Sequence, residues 1–383
     1  MSDDKPSKSK KASGTSNWFV ALFAPNGSKP KDRELHAKGH AIAWLVCLAL
    51  LGAMFGLSLL PNTVERYYTE TAGQAIGRFL AAISGVFPFS LIEFLIAAIL
   101  LWIVFFTLRA AVHFVQRKRR LLNAVAAGLV QIVTLALVLV TYFYAAWGLN
   151  YARAGLIERL GWEEGVTANA EDGALDAVDT EELAGLCAEL VASTNAAYAE
   201  LHGSEDRGKP TEIALIKPLD RAIDRAYEQV GRQLSLHPTF VLSRGLAKPV
   251  AASIVMCHLR ICGFYNPWTG EANYNWMEPD AHLPHTIAHE KAHQRGVTSE
   301  DEANFFGYLA CSFSDAPAVR YSGLLFAQEQ LLRELDRLDK ERVKTLVAQR
   351  YPGVQRDLDE DRAFWSQFQG KAGEVSRAFN NAY

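Results

Sequence analysis

Apolar positions along this chain come first as three long unbroken runs, then at helical spacing in shorter amphipathic stretches. The runs are AIAWLVCLALLGAMFGLSLL at 41–60, VFPFSLIEFLIAAILLWIVFFTL at 86–108 and LLNAVAAGLVQIVTLALVLVTYFYAAWGL at 121–149. A bilayer core takes about 20 helical residues, so each run predicts a membrane-spanning helix. The first and third carry no charge, and the second carries only Glu93, near one end. Partial hydration or pairing is the expected state of that acid. The first run begins too late and is too long for a signal segment, which predicts a retained anchor.

Beyond residue 150 the pattern changes. DTEELAGLCAELVASTNAAYAEL at 179–201 has a helix start signal and apolar residues at Leu183, Leu186, Leu190 and Ala197. RAIDRAYEQVGRQL at 221–234 predicts a second amphipathic helix. Residues 248–276 are rich in β-branched and aromatic side chains around the turn former NPWTG, which predicts two short strands. Two helices follow in 285–311, and the last third of the chain reads as helical. The predicted class is a multi-pass membrane protein, mainly α, with three transmembrane helices followed by an α+β, mostly helical domain.

Charge orients this arrangement. Among 383 residues the net charge is −3, which gives no reason to expect nucleic acid as a partner. Residues 1–40 carry eight Lys and Arg and read as a flexible basic tail; Arg109, Arg117, Lys118, Arg119 and Arg120 follow the second run, and only Arg66 and Arg78 lie between the first two. Basic loops stay on the cytoplasmic side. The prediction is a cytoplasmic tail (1–40), a three-helix membrane region (41–149) and an extracytoplasmic domain (150–383). Five cysteines are too sparse and wrongly spaced for a thiolate metal site. Cys257 and Cys262 are expected either as a local disulfide, which that compartment permits, or as buried thiols.

The candidate chemistry lies in HTIAHEKAHQRGVTSEDEANFFGYLAC, residues 285–311. Residues four apart share a helix face, so His289 and His293 can present two imidazoles to one Zn2+, with Glu290 as general base. Pro284 suits the first turn of that helix, and Gly296 can end it. A zinc site that acts on substrate needs a third protein ligand. Glu300 and Glu302 compete for the role. Ser299 and Glu302 match a capping box, which leaves Glu300 the freer acid. Asn304 shares a face with Glu300 and is expected to support a ligand histidine from behind. Glu271, Ala272, Asn273 and Tyr274 form either an edge strand that pairs with an extended peptide or an ordinary loop. Tyr308, Tyr321, Arg320 and His258 are possible donors to an oxyanion, while His282 and His285 read as flanking residues.

HEKAH followed by EDEAN resembles the gluzincin metallopeptidases, including the membrane-bound HtpX type. In that group the first acid of the second motif is the third zinc ligand, which the resemblance places on Glu300, and a strand before the metal helix holds substrate. Asn304 stands where the group has aspartate, and six residues between His293 and Glu300 is a short interval for it. WGLNYAR, PWTGEANYN, HEKAHQRG and EDEANFFGYLAC together resemble an uncharacterised bacterial membrane family, a domain of unknown function regarded as zinc-peptidase-like. The expectation is a zincin-like extracytoplasmic domain on the bacterial cytoplasmic membrane, cutting peptide or protein substrates. The alternatives are a zinc-containing sensor that binds without cleaving, or a hydrolase of a non-peptide amide.

Overall fold

The structure, a computed structural model, describes residues 30–115, 121–162, 180–370 and 373. Most of the expected basic tail, residues 1–29, lies outside them, as do the basic cluster 117–120 and the Ala/Glu/Asp-rich stretch 163–179. Three helices are long and apolar enough to cross a membrane: Leu35–Ser58, Leu91–Arg109 and Gly128–Ala146. They lie in α1 (Pro30–Ser58), α4 (Leu91–Val115) and α5 (Leu121–Ala146). Leu45, Phe55, Leu101, Phe105 and Leu129 are all exposed along them, as expected of side chains that lipid would cover.

The second helix starts later than its apolar run. Pro88 restrains the residue before it from helical geometry, and the helix begins only at Leu91, whose N–H is accepted by both Glu271 carboxylate oxygens (3.1 and 3.0 Å). Glu93 is paired: its carboxylate accepts the N–H groups of Ala251 and Ala252, each at 2.9 Å.

The chain forms two compact units, the described parts of 1–52 with 99–141, and of 53–98 with 142–383. In the first, the His40 ring and the Trp44 indole both meet the Thr134 hydroxyl (2.9 and 2.8 Å), tying α1 to α5.

In the second unit, α2 (Pro61–Val64), a π-helical stretch (Glu65–Ala72) and α3 (Gly73–Ser84) run continuously. A 3-10 turn (Gly148–Ala152) and α6 (Leu156–Arg159) follow α5. Next come α7 (Thr180–His202) and α8 (Ile216–Gln233), the two amphipathic helices expected from the apolar spacing. Region 248–276 departs from two strands: β1 (Lys248–Pro249) is followed by a helix, α9 (Ser253–Leu259), and then by β2 (Gly263–Asn266) and β3 (Glu271–Tyr274). The run SIVMCHL is apolar without alternation, a pattern that does not separate a short helix from a buried strand. It ends at Arg260, in the left-handed conformation (φ 56°). Cys257 and Cys262 are free thiols.

The sheet order is β1-β3-β2, with β3 parallel to β1 and antiparallel to β2. Under it lies α10 (Leu283–Gln294), then α11 (Glu300–Ser312), α12 (Pro317–Leu338), α13 (Lys340–Val347) and α14 (Pro352–Ser366). The main core joins Ile287, Ala288 and Ala292 of α10 to Ala303, Phe306 and Ala310 of α11. Charge as well as apolar packing holds α10 in place. Lys291 reaches Asp220 (2.6 Å) and Asp224 (2.9 Å), and Arg295 reaches Asp224 (2.8 Å). Two i, i+4 pairs, acids on α8 and bases on α10 and its C-cap, thus meet face to face. Burial alone would raise Asp224, but Lys291 and Arg295 outweigh it and hold the carboxyl at about 2.

Candidate metal centre

Helix α10 carries His289 and His293 one turn apart, and their Nε2 atoms lie 3.0 Å from each other. Glu300, the first residue of α11, completes a triangle: its Oε2 is 3.2 Å from His289 Nε2 and its Oε1 3.5 Å from His293 Nε2. Ligands about 2.05 Å from zinc at tetrahedral angles stand about 3.3 Å apart. The three distances lie around that value, two of them to different Glu300 oxygens, and one ligand atom from each residue lies within 4.8 Å of the others, so the donors present fit such an ion in number, kind and spacing. Two facing imidazole nitrogens also repel unless a proton or a cation lies between them.

The turn between the helices supports this geometry. Gly296 adopts φ +92°, a conformation suited to glycine, and a Cβ there would come 3.2 Å from Asn150. The turn places the Val297 carbonyl 2.8 Å from His293 Nδ1. Donation from Nδ1 leaves the Nε2 lone pair facing the triangle. When the imidazoles carry Nε2 protons instead, their hydrogen bonds hold Glu300 well below the usual carboxylate range. Burial would lower His293, but Glu300 and Glu290 outweigh it and raise its pKa.

Trp147 and Arg153, which follow the third apolar helix, and Gln74 of α3 hold the end of α10. Trp147 Nε1 donates to His293 O (3.0 Å), Gln74 Nε2 to Arg295 O (3.0 Å) and Arg153 Nη1 to Gly296 O (2.9 Å). These are carbonyls that a helix end and its turn leave without intrahelical partners. The segment WGLNYAR therefore has a definable task, to cap the helix that carries both histidines.

Glu290 is buried beside the triangle. Burial pushes its carboxyl up, against the pull of His289 and His293, and the Tyr265 N–H stabilises its charged form. Its Oε2 has no hydrogen-bond partner among the described residues. A Cβ at Gly263 would come 2.7 Å from the Glu290 Cγ and Oε1, so the strand passes this close only because residue 263 is glycine. Both residues line a cavity of about 310 Å³ that also takes in His289, Glu300, Arg260 and Glu278.

The competing acid is committed elsewhere. Glu302 accepts the Leu156 N–H (2.8 Å) and pairs with Arg159 (2.7 Å). It does not reach back to Ser299, whose side chain makes no cap hydrogen bond. Asn304 lines the cavity, and among the described residues its side chain bonds neither histidine.

The expected edge strand is a correction. Glu271, Ala272, Asn273 and Tyr274 form the central strand, paired along its length with β2 and, at Asn273 and Tyr274, also with β1, so it is not a sheet edge. Their side chains are structural: Glu271 bonds Lys248 (2.6 Å) as well as the start of α4, and Asn273 Oδ1 accepts from Ser90 (2.6 Å). The edge beside the metal triangle belongs to β2. Cys262 O accepts from Asn275 N and Asn266 O from Gly270 N, so even-numbered residues of β2 turn inward. Gly263 and Tyr265 therefore turn their N–H and C=O groups out.

The four side chains considered as oxyanion donors lie outside this cavity. Tyr321 donates to Asp357, Arg320 bonds Ser314 O and Glu200, His258 stands edge-on to Phe368, and Tyr308 lines a neighbouring groove. Arg260, His282 and His285 line it instead. His285 stacks on Phe326 at 3.6 Å, and burial drives its pKa well down. Proximity to the motif was the one sequence signal for the two histidines; Arg260 had none.

No curated protein and no solved structure matches the chain. Residues 68–383, which include every element of the metal triangle and its caps, match the family described as Protein of unknown function (DUF3810), and the chain belongs to that family.

Proposed function

We propose that the protein is a membrane-anchored zinc-dependent peptidase, with His289, His293 and Glu300 as metal ligands and Glu290 as general base. The observation that carries this reading is the triangle of donors at 3.0, 3.2 and 3.5 Å with a buried, unpartnered carboxylate oxygen beside it. Zinc bound there would lower the pKa of water and polarise a carbonyl. Glu290 takes the proton from the attacking water and passes it to the leaving amine. The outward N–H and C=O of Gly263 and the C=O of Tyr265, whose N–H is held by Glu290, pair with an extended substrate and lay its carbonyl across the site. The basic segments and the three apolar helices support a cytoplasmic N-terminus and a domain outside the bacterial cytoplasmic membrane.

A glutamate that ligation does not require favours hydrolysis over a sensor that only binds. Metal analysis of the purified full chain tests the ligand set. Wild type is expected to hold one zinc per chain, and His289→Ala and Glu300→Gln to lose it. Glu302→Gln is expected to keep the metal but to lose about 1–3 kcal/mol of stability, through its bonds to Leu156 and Arg159. Zinc retained in Glu300→Gln and lost in Glu302→Gln would reverse the assignment.

A further inference from the structure

The metal cavity has a second polar wall that the hydrolytic chemistry does not use. Glu278 is only 5 % exposed. Its Oε1 accepts from the Thr286 hydroxyl (2.9 Å), the Cys262 thiol (a weak donor) faces the same carboxyl, and among the described residues its Oε2 has no hydrogen-bond partner. Burial, against smaller pulls from His282 and Thr286, raises its pKa to about 7. Glu329 and Asp361 line the same cavity. Asp361 stands 3.9 Å from His282 Nε2.

Arg260 also lines the cavity, held by Trp365. Its Nη1 donates to Trp365 O (3.1 Å), and its guanidinium lies 5.5 Å from the Trp365 ring centre. No salt bridge joins it to a carboxylate among the described residues. A buried acceptor without a partner costs free energy unless something donates to it. The wall as a whole is acidic, so the donor it suits is a cation.

Position along α10 fixes where such a group would sit. Thr286, which holds Glu278, is four residues before Glu290, about 6 Å along the helix axis. That is the reach of one or two extended residues. Resting on the peptidase reading, we infer that Glu278, Glu329 and Asp361 receive an amino group of the substrate, one or two residues from the bond that is cut. That amino group is either a free amino terminus or the ammonium of a basic side chain.

The test is calorimetric binding to the detergent-solubilised, zinc-loaded full chain carrying Glu290→Gln, so that peptide is bound rather than consumed. The probes are tetra-alanine amide, its N-acetyl form, and N-acetyl forms carrying one lysine or one glutamate. An amine-bearing probe is expected to bind about tenfold or more tighter than the neutral N-acetyl peptide. Whether the free terminus or the lysine does so tells the two sources apart. Adding Glu278→Gln is expected to abolish the preference while leaving affinity for the neutral peptide unchanged, which shows the site is folded. Adding Glu329→Gln with Asp361→Asn, on the less buried part of the wall, is expected to reduce it by a smaller factor. Equal binding of neutral and amine-bearing probes, tighter binding of the glutamate probe, or a preference that survives both sets of variants overturns the inference and leaves the peptidase reading standing. Failure of every probe to bind a zinc-loaded chain overturns both.

Discussion

Replacing Glu290 with glutamine is expected to cut peptide hydrolysis by about 10²–10⁴-fold while zinc content stays at the wild-type level. The amide has nearly the shape of the carboxylate, so the tight passage of Gly263 against this side chain is preserved. What is lost is the ability to accept a proton from water and return it to the leaving amine. The side chain sits beside the donor triangle but is not one of its corners. Chemistry and metal content should therefore separate in this one variant. Peptide turnover by the purified full chain, measured with and without chelator alongside zinc per chain, is the check. Wild-type turnover in Glu290→Gln would remove the mechanism, and loss of zinc would move Glu290 into the ligand set.

Lys291→Met is expected to destabilise the second unit by about 3–5 kcal/mol, the largest stability effect of any single substitution considered. The Lys291 side chain is fully buried between Asp220 and Asp224. Removing it leaves two carboxylates without their main cation in a site shielded from water. Arg295 still holds Asp224, but among the described residues Asp220 keeps only the N–H of Ala247. Burial already pushes Asp220 up in spite of Lys291, so it is the acid that would take on a proton when the lysine goes. Combining Lys291→Met with Asp220→Asn should recover a measurable part of the loss, because the pair belongs to one network. Thermal unfolding of the full chain in detergent reads this as a fall in Tm of about 10 °C for the single variant. A fall under about 2 °C would mean that the network is energetically idle. Because Lys291 lies between the two histidines, the variant is also expected to weaken zinc retention through the rotation of α10.

Much of this was legible from residue order. The apolar helices follow from local composition, since about 20 uncharged helical residues suffice to cross lipid whatever else the chain does. The pairing of His289 with His293 follows from helix pitch, and the end of α10 from one glycine that takes φ +92°. The second helix start was signalled by the acids after Ser299, although the reciprocal cap expected there does not form. Other features were out of reach for a common reason. Glu300 and Glu302 differ little in local context, and what separates them is the Leu156 N–H and Arg159, about 145 residues earlier in the chain. Glu271–Tyr274 reads as a strand, but whether it is an edge depends on β1, two residues with almost no strand signal of their own.

The sequence by itself therefore determined the apolar helices, the helical spacing of the two imidazoles and the place of a glutamate beside the first of them, because those depend on interactions within a few turns. Only the tertiary structure decided which acid meets the histidines, which strand presents an open edge, and which carboxylates surround the remaining space. Each of those is a question of partners distant in the chain. A buried polar group is defined by what satisfies it, and the residue sequence does not say which distant partner that will be.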